Sequence, residues 1–486
     1  MVLRYKSLSL NSLGQRLFLL RISTKVSTTS GIAIMNSRIK MEKDPMGSSG
    51  SESEVNEEKL ATEFEAHHKR LIIAGTVGNV LEWYDFAVYG FFAHEIGHVF
   101  FPSTDPVTSL IAAFGAFAAG FLMRPFGAVV FGHIADSKGR RAAMTLSVLC
   151  MAFPTFCIGI LPGYDTLGPA AAVILVLMRM LQGMSVGGEF ATSLLYLVEH
   201  APSGRKAFAG SWGAAGATGG TLAGSAVGFI INRMLSPEQV ALWGWRVPML
   251  LGLAVGLAGL FIRKHLPEET HKPDPAQAPP IVTAFREHWR DMFRVAGVML
   301  MGSVGFYLIF VFLTTYLSQT VKVPISQALE INTFSMIVLM LLIPFYGHLA
   351  DKIGPARIVV TSAFACLILA WPLFWLLHHQ NPWIDLIGQL GFVMVIAPYQ
   401  GAYPALVVQM LPKNARCTVL SVGFNLCVGL IGGTTPMVAS YLIKKTHDDL
   451  APAWFLMVAS FITWITVYMW QLKLRKDRIS TMKTSS

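Results

Sequence analysis

Apolar residues along this chain come in long unbroken runs, with few of the polar interruptions that mark a strand or an amphipathic surface helix. About twelve runs approach the roughly 20 residues that a helix needs to cross hydrocarbon. They lie at 71–98, 107–131, 142–161, 169–198, 207–232, 244–262, 293–318, 326–347, 358–377, 384–410, 417–443 and 451–471. Several exceed 25 residues, which predicts tilt or helix reaching past the hydrocarbon. The longest polar break between runs spans 265–292 and contains "LPEETHKPDPAQAPPIVTAFREHWRD", rich in proline and charge. It divides a six-run half at 67–264 from a second at 293–472. "GHIADSKGR" from Gly132 and "GHLADKIGP" from Gly347 share Gly, His, Ala, Asp and Gly in register, each between two apolar runs. The pattern predicts an all-α membrane protein of twelve transmembrane helices in two six-helix halves.

Composition agrees with this reading. Of 486 residues, 53% are hydrophobic and 14% charged, where a soluble domain carries about a quarter charged. The net charge of +10 raises the question of nucleic acid, and the placement of the charges answers it. With the N-terminus inside, twenty lysines and arginines fall on cytoplasmic connections and the C-terminal tail at 473–486. Only Arg233, Arg246, Lys322, Lys444 and Lys445 fall on the opposite side. The excess is a positive-inside signal, so no nucleic-acid partner is expected and both termini are expected in the cytoplasm. Residues 1–66 hold no acidic residue before Glu42 and many serines. That composition is what a transit peptide looks like, but the reading adopted is a cytoplasmic tail without fixed structure, or residues upstream of a later start. The five cysteines sit in or beside apolar runs without metal-ligand spacing, and are read as small packing residues.

Charge inside the runs is rare, as expected when an acid near the bilayer centre costs about 3 kcal/mol on insertion scales. Glu82, Asp85, His94, Glu95 and His98 fall in the first run, Arg124 in the second, and Arg179 and Glu189 in the fourth. At about 1.5 Å per residue, Glu82, Asp85 and Arg179 come out near mid-membrane, with Arg124 and Glu189 nearer the inner third. Two couples are therefore expected, Asp85 or Glu82 with Arg179 and Glu189 with Arg124. Asn79, Glu82, Asp85 and Tyr89 follow one another at helical spacing and make one face of the first helix polar, as in a wall of a water-filled path. A carboxylate there, balanced between poor solvation and a neighbouring arginine, can load and release a proton; static ion pairs that fix helix packing are the alternative. His94, Glu95 and His98 are placed at the outer interface.

Four stretches carry a resemblance to the major facilitator superfamily and, within it, to the metabolite:proton symporters of proline/betaine, citrate, 2-oxoglutarate, shikimate and dicarboxylates. They are "GNVLEWYDFAVYGFFA" from Gly78, "FLMRPFGAVVFGHIADSKGRR" ending at Arg141, "RMLQGMSVGGEFATSLLYLVEHAP" from Arg179 and "WGWRVP" from Trp243. The likeness runs from about residue 70 to 472. It implies a cytoplasmic gate of Gly132, Asp136, Gly139, Arg140 and Arg141, with a second copy at Gly347, Asp351 and Gly354. There Pro355 and Ala356 replace the arginine pair and Arg357 is a substitute. "EWYDF" looks like the proline/betaine side, whereas the segment from Leu411 resembles both the proline/betaine and the citrate porters. The osmosensing proline/betaine type has a long C-terminal extension, and 15 residues follow Gln471 here, so that device is not expected.

The resemblance implies a proton-coupled symporter importing a small carboxylate-bearing solute, an organic acid or a proline/betaine-type zwitterion, by alternating access. Arg179 and Arg124 are the candidate carboxylate contacts, joined by Tyr84, Tyr89, Asn79, Gln400, Tyr403 and Asn425 as candidate lining. Asp85, Glu82 and Glu189 are the candidate proton carriers. No catalytic constellation and no metal or organic cofactor is expected, protons being the coupling ion. The expected setting is a monomer in a bacterial plasma (inner) membrane. A receptor that keeps the fold without transporting, or a proton-independent facilitator or antiporter, is the alternative. Antiport is disfavoured because the fifth run, for all its glycines, lacks the proline of the antiporter signature.

Overall fold

A computed structural model describes residues 79–484 apart from Leu81, Gly139, Gly188, His200, 265–285 and 412–415. The expected tail at 1–66 and most of the 265–292 connection lie outside the described residues.

Twelve crossings follow in order. They are α1 (79–100), α2 (Pro106–Leu122, continuing as Arg124–Lys138), α3 (Arg140–Ile160), α4 (Pro169–Ser185, continuing as Glu189–Glu199), α5 (Lys206–Met234) and α6 (Arg246–Lys264). The second half holds α7 (Trp289–Val321), α8 (Ile325–Ile353), α9 (Pro355–Leu376), α10 (Pro382–Met410), α11 (Arg416–Thr446) and α12 (Ala451–Thr484). Eight of the described helices are individually long and apolar enough to cross a membrane. Large apolar side chains such as Phe126, Leu341 and Ile387 stand exposed on their outer faces, where lipid would meet them.

The breaks have local causes. Pro125 has no amide to give the carbonyl one turn back, so α2 is interrupted at Met123. Val186 and Gly187 turn out of the helix and interrupt α4. Asp105 caps α2 by accepting from the Val107 amide at 3.1 Å, with Pro106 in the first turn. Asn381 does the same for α10 through Trp383 at 3.0 Å. Gly354 joins α8 to α9 at φ 106°, a conformation that side chains with a Cβ resist. Close packing needs glycine too: a Cβ on Gly183 of α4 would overlap the Gly120 carbonyl oxygen of α2. Helix α12 runs past Gln471 to Thr484 because no glycine or proline follows Pro452 to end it.

Contact between the halves is densest where α5 packs on α8. Ala207 meets Asp351, Ser211 meets Gly347, Ser225 meets Thr333 and Gly228 meets Leu329, so the two helices touch along their whole length. One end of the bundle carries Asp105 and Lys444, and the other carries Asp351 and Arg416.

Candidate functional site

Helix α1 turns Glu82, Asp85 and Tyr89 into its own half, and these and Asn79 are buried. The Arg124 guanidinium of α2 is 0% exposed, lies 4.0 Å from the Glu82 carboxylate and stacks on Phe121 at 4.2 Å and Phe86 at 4.8 Å. Among the described residues none of its nitrogens has a hydrogen-bond partner. Asp85 reaches Arg179 through two neutral side chains. Thr155 of α3 donates to Asp85 at 2.9 Å, Gln182 of α4 donates to Thr155 at 2.6 Å, and Arg179 donates to the Gln182 carbonyl oxygen at 2.8 Å. Arg179 also lies over Tyr89 at 4.2 Å. A buried charge is costly unless paired, and Glu82 and Asp85 each have an arginine, one directly and one through a relay.

One layer away, between the halves, is a cavity of about 50 Å³. Trp83 of α1, Phe190 of α4, Phe306 and Tyr307 of α7, Tyr399 and Tyr403 of α10 and Phe424 of α11 surround it with aromatic faces. Thr218, Ser303 and Gln400 are its polar lining. The Trp83 indole N–H and the Tyr307 hydroxyl are buried without a hydrogen-bond partner among the described residues. Trp83 and Tyr307 stack on one another, Arg124 lies 5.8 Å from the Trp83 ring, and its guanidinium is within electrostatic reach of the Tyr307 hydroxyl. The cavity thus combines a neutral aromatic lining, unpaired donors and a cation just behind the wall.

The expected lining residues divide. Gln400 and Tyr403 line the cavity. Tyr84 does not, because it turns towards α6 and donates to the Pro248 carbonyl at 3.3 Å. Tyr89 instead donates to Ala113 of α2 at 3.0 Å. Asn425 donates to Gly187 of α4 at 2.5 Å, a contact between the halves, and Asn79 is buried outside the cavity wall. The polar stripe of α1 therefore does not line a wet path in this conformation; Glu82 and Asp85 are each 3% exposed. Arg124, expected beside Glu189, has Glu82 as its acidic neighbour, and the Glu189 side chain lies outside the described residues. Sequence reasoning missed Trp83, Ser303 and Tyr307. Trp83 stands in the middle of "LEWYDF", but its neighbours' charges drew attention away from it; Tyr307 is a lone polar tip in "MGSVGFYLIF".

Contacts between the halves stand at both ends of the bundle. At one end Lys444 of α11 meets Asp105 and, at 2.7 Å, the Thr108 hydroxyl of α2. At the other, Asp351 accepts from the Ala207 and Phe208 amides at 2.8 and 2.9 Å, capping α5 from the opposite half, and Arg416 meets Glu199 at 2.5 Å. Gly354 makes the turn beside Asp351, and Arg357 is exposed with only a long 3.5 Å approach to the Ile353 carbonyl. The Asp136, Arg140 and Arg141 side chains, with Gly139, fall outside what is described; Gly132 sits within α2.

The model of the Major Facilitator Superfamily matches residues 75–436. The glycine betaine/proline/ectoine/pipecolic acid transporter of Dickeya dadantii is 33% identical over 413 residues, 82% of each chain. A putative proline/betaine transporter of Staphylococcus aureus is 35% identical over 406 residues, covering 82% of this chain and 87% of the relative. Among solved structures, a D-xylose-proton symporter superposes with a TM-score of 0.65 at 18% identity, covering 81% of this chain and 97% of its own. The xylose transporter of Escherichia coli in a partially occluded inward-open conformation does so at 0.64 and 17%, covering 83% and 97%. At those identities the structures speak for the fold alone. The sequence matches, the twelve crossings and the central cavity between two halves lead to one conclusion: this chain belongs to the Major Facilitator Superfamily and is a membrane transporter, not an enzyme.

Proposed function

We propose that the chain is a proton-coupled symporter of a small zwitterion of the proline or betaine type, working by alternating access across a bacterial plasma membrane. The observation that carries this reading is the cavity lining: seven aromatic rings, no charged side chain, and unpaired donors on Trp83 and Tyr307. Aromatic faces attract a compact ammonium, and the unpaired donors, with Arg124 behind them, suit a single carboxylate. A di- or tricarboxylate would bring surplus negative charge into a neutral enclosure. The proline/betaine names of the relatives point the same way.

In this reading the lysine and arginine distribution puts the Asp351 end and both termini in the cytoplasm and the Asp105 end outside. Asp85 and Glu82 carry the coupling proton, because each is an acid whose arginine partner can hold or release it as the helices move. Binding to purified protein tests the solute class. Glycine betaine and proline should raise the thermal midpoint, and citrate should not. Substrate counterflow in proteoliposomes then separates a transporter from a receptor, which would bind without exchange.

A further inference from the structure

Helix α10 carries a carboxylate that the proposed transport cycle does not use. Asp385 is fully buried near the outer end of α10, and neither of its oxygens has a hydrogen-bond partner among the described residues. Gln389, also fully buried, lies one helical turn further in on the same face. From Gln389 a chain of hydrogen bonds leads across the molecule. Its amide donates to Asn332 of α8 at 2.7 Å and to the Ile309 carbonyl of α7 at 3.3 Å. Asn332 donates to Ser225 of α5 at 3.1 Å and to the Phe310 carbonyl at 3.3 Å; Ser225 and Thr333 of α8 share a hydrogen bond of 2.8 Å. Ile309 and Phe310 belong to a π-helical turn, Leu308–Phe312, which alters the ordinary pattern of backbone bonds. The chain thus ends where α5 of one half meets α8 of the other, at the outer end of the closed interface.

We infer that Asp385 is a proton-binding site in the C-terminal half whose occupancy sets the outer gate between α5 and α8. With the gate closed, an ionised Asp385 would be a buried charge without a partner, a costly arrangement that protonation removes. Asp385 lies in the first turn of α10, whose N-terminus offsets part of this cost but supplies its oxygens no hydrogen bond. When α5 leaves α8, the Ser225 end of the chain is lost and water gains a way in, so the ionised form becomes tolerable. Protonation therefore favours the closed gate, and rising pH favours opening.

Other titratable groups near Asp385 are His379 on the α9–α10 connection and Tyr316 of α7. Tyr316 bonds to His378, which approaches Asp449 at 3.9 Å, and Asp448 follows on the same connection. On α8, Lys322 at its entrance and Glu330 are exposed, as are Lys444 and Lys445 at the end of α11. The histidines are the competing source of a pH response.

Leu329, fully buried against Gly228, reports on this interface. Leu329→Cys would be placed in the full chain in nanodiscs and labelled with a charged thiol reagent between pH 5.5 and 8.5. The rate is taken as the increment over the parent, which carries five cysteines, and is divided at each pH by that of an exposed cysteine, Thr104→Cys, so that the thiol's own ionisation drops out. Labelling should rise with pH, by at most about tenfold per unit for one proton. Adding Asp385→Asn should leave it slow and flat, while His378→Gln with His379→Gln should keep the rise. Asp385→Glu, which retains an acid, covers the case in which the asparagine variant does not fold; its rise should persist with a displaced midpoint. A pH response that survives Asp385→Asn, or that vanishes with the histidines alone, overturns the inference. Because the readout is labelling without solute, it stands or falls separately from the choice of solute.

Discussion

The Arg124 guanidinium faces the Glu82 carboxylate at 4.0 Å and lies over the Phe121 ring at 4.2 Å, one layer behind the aromatic wall of the central cavity. A charge this deeply buried depends on its partner, and removing one member of such a pair costs about 3–5 kcal/mol. Glu82→Gln should therefore lower the thermal midpoint of the purified protein, and Glu82→Gln with Arg124→Gln should recover part of the loss. An unchanged midpoint for the single variant would mean that the pair contributes nothing to the fold.

Asp85 and Arg179 communicate through Thr155 and Gln182. Asp85→Asn should abolish accumulation driven by a proton gradient while leaving counterflow intact. Thr155→Val strands the Gln182 amide, at a cost of about 1–3 kcal/mol, and should shift the pH dependence of uptake. If Asp85→Asn still accumulates solute fully, Asp85 does not carry the coupling proton.

The Asp105 and Lys444 contact, at the end of the bundle away from Asp351, behaves differently. Its hydrogen bond from Lys444, with a second from Thr108, holds Asp105 down at about 2, below the usual carboxylate range. A depressed acid contributes above its ordinary value and loses its contribution only as pH falls towards 2. This contact should therefore be constant between pH 5 and 8. Lys444→Ala should speed labelling of Leu329→Cys by the same factor across that range; a factor that changes with pH would contradict the assignment.

Asp351 caps α5 across the interface between the halves, where Arg205, at the cap position, supplies no side-chain bond of its own. Losing an N-cap costs about 1 kcal/mol, and here that loss falls only on the state closed at the Asp351 end. Asp351→Ala should make a cysteine at Ser211, against Gly347, label roughly fivefold faster. Equal rates would show that the cap does not hold this end shut.

The crossings were legible because hydrocarbon sets a length that only long apolar runs satisfy, and the α8 turn was legible from the repeat around Gly354. Which groups meet inside the bundle was less so. Counting 1.5 Å per residue assumes straight, upright helices, and α2 is interrupted at Met123, immediately before Arg124. That estimate did not place Glu82 beside Arg124, where the structure has it, and the Glu189 side chain lies outside the described residues. Helical spacing put Tyr84 and Tyr89 on α1, but which neighbour each hydroxyl meets depends on helices far away in sequence. Asp385 stood at the edge of its apolar run, where an acid passes for a headgroup contact, and only packing shows it buried.

The most direct test of the account is uptake of radiolabelled glycine betaine into proteoliposomes, with an inward proton gradient and again with the gradient collapsed by a protonophore. The account predicts accumulation above the equilibrium level only with the gradient, abolished by Asp85→Asn and weakened by Tyr307→Phe. Accumulation to the same level under both conditions, or citrate taken up in preference to glycine betaine, would contradict it.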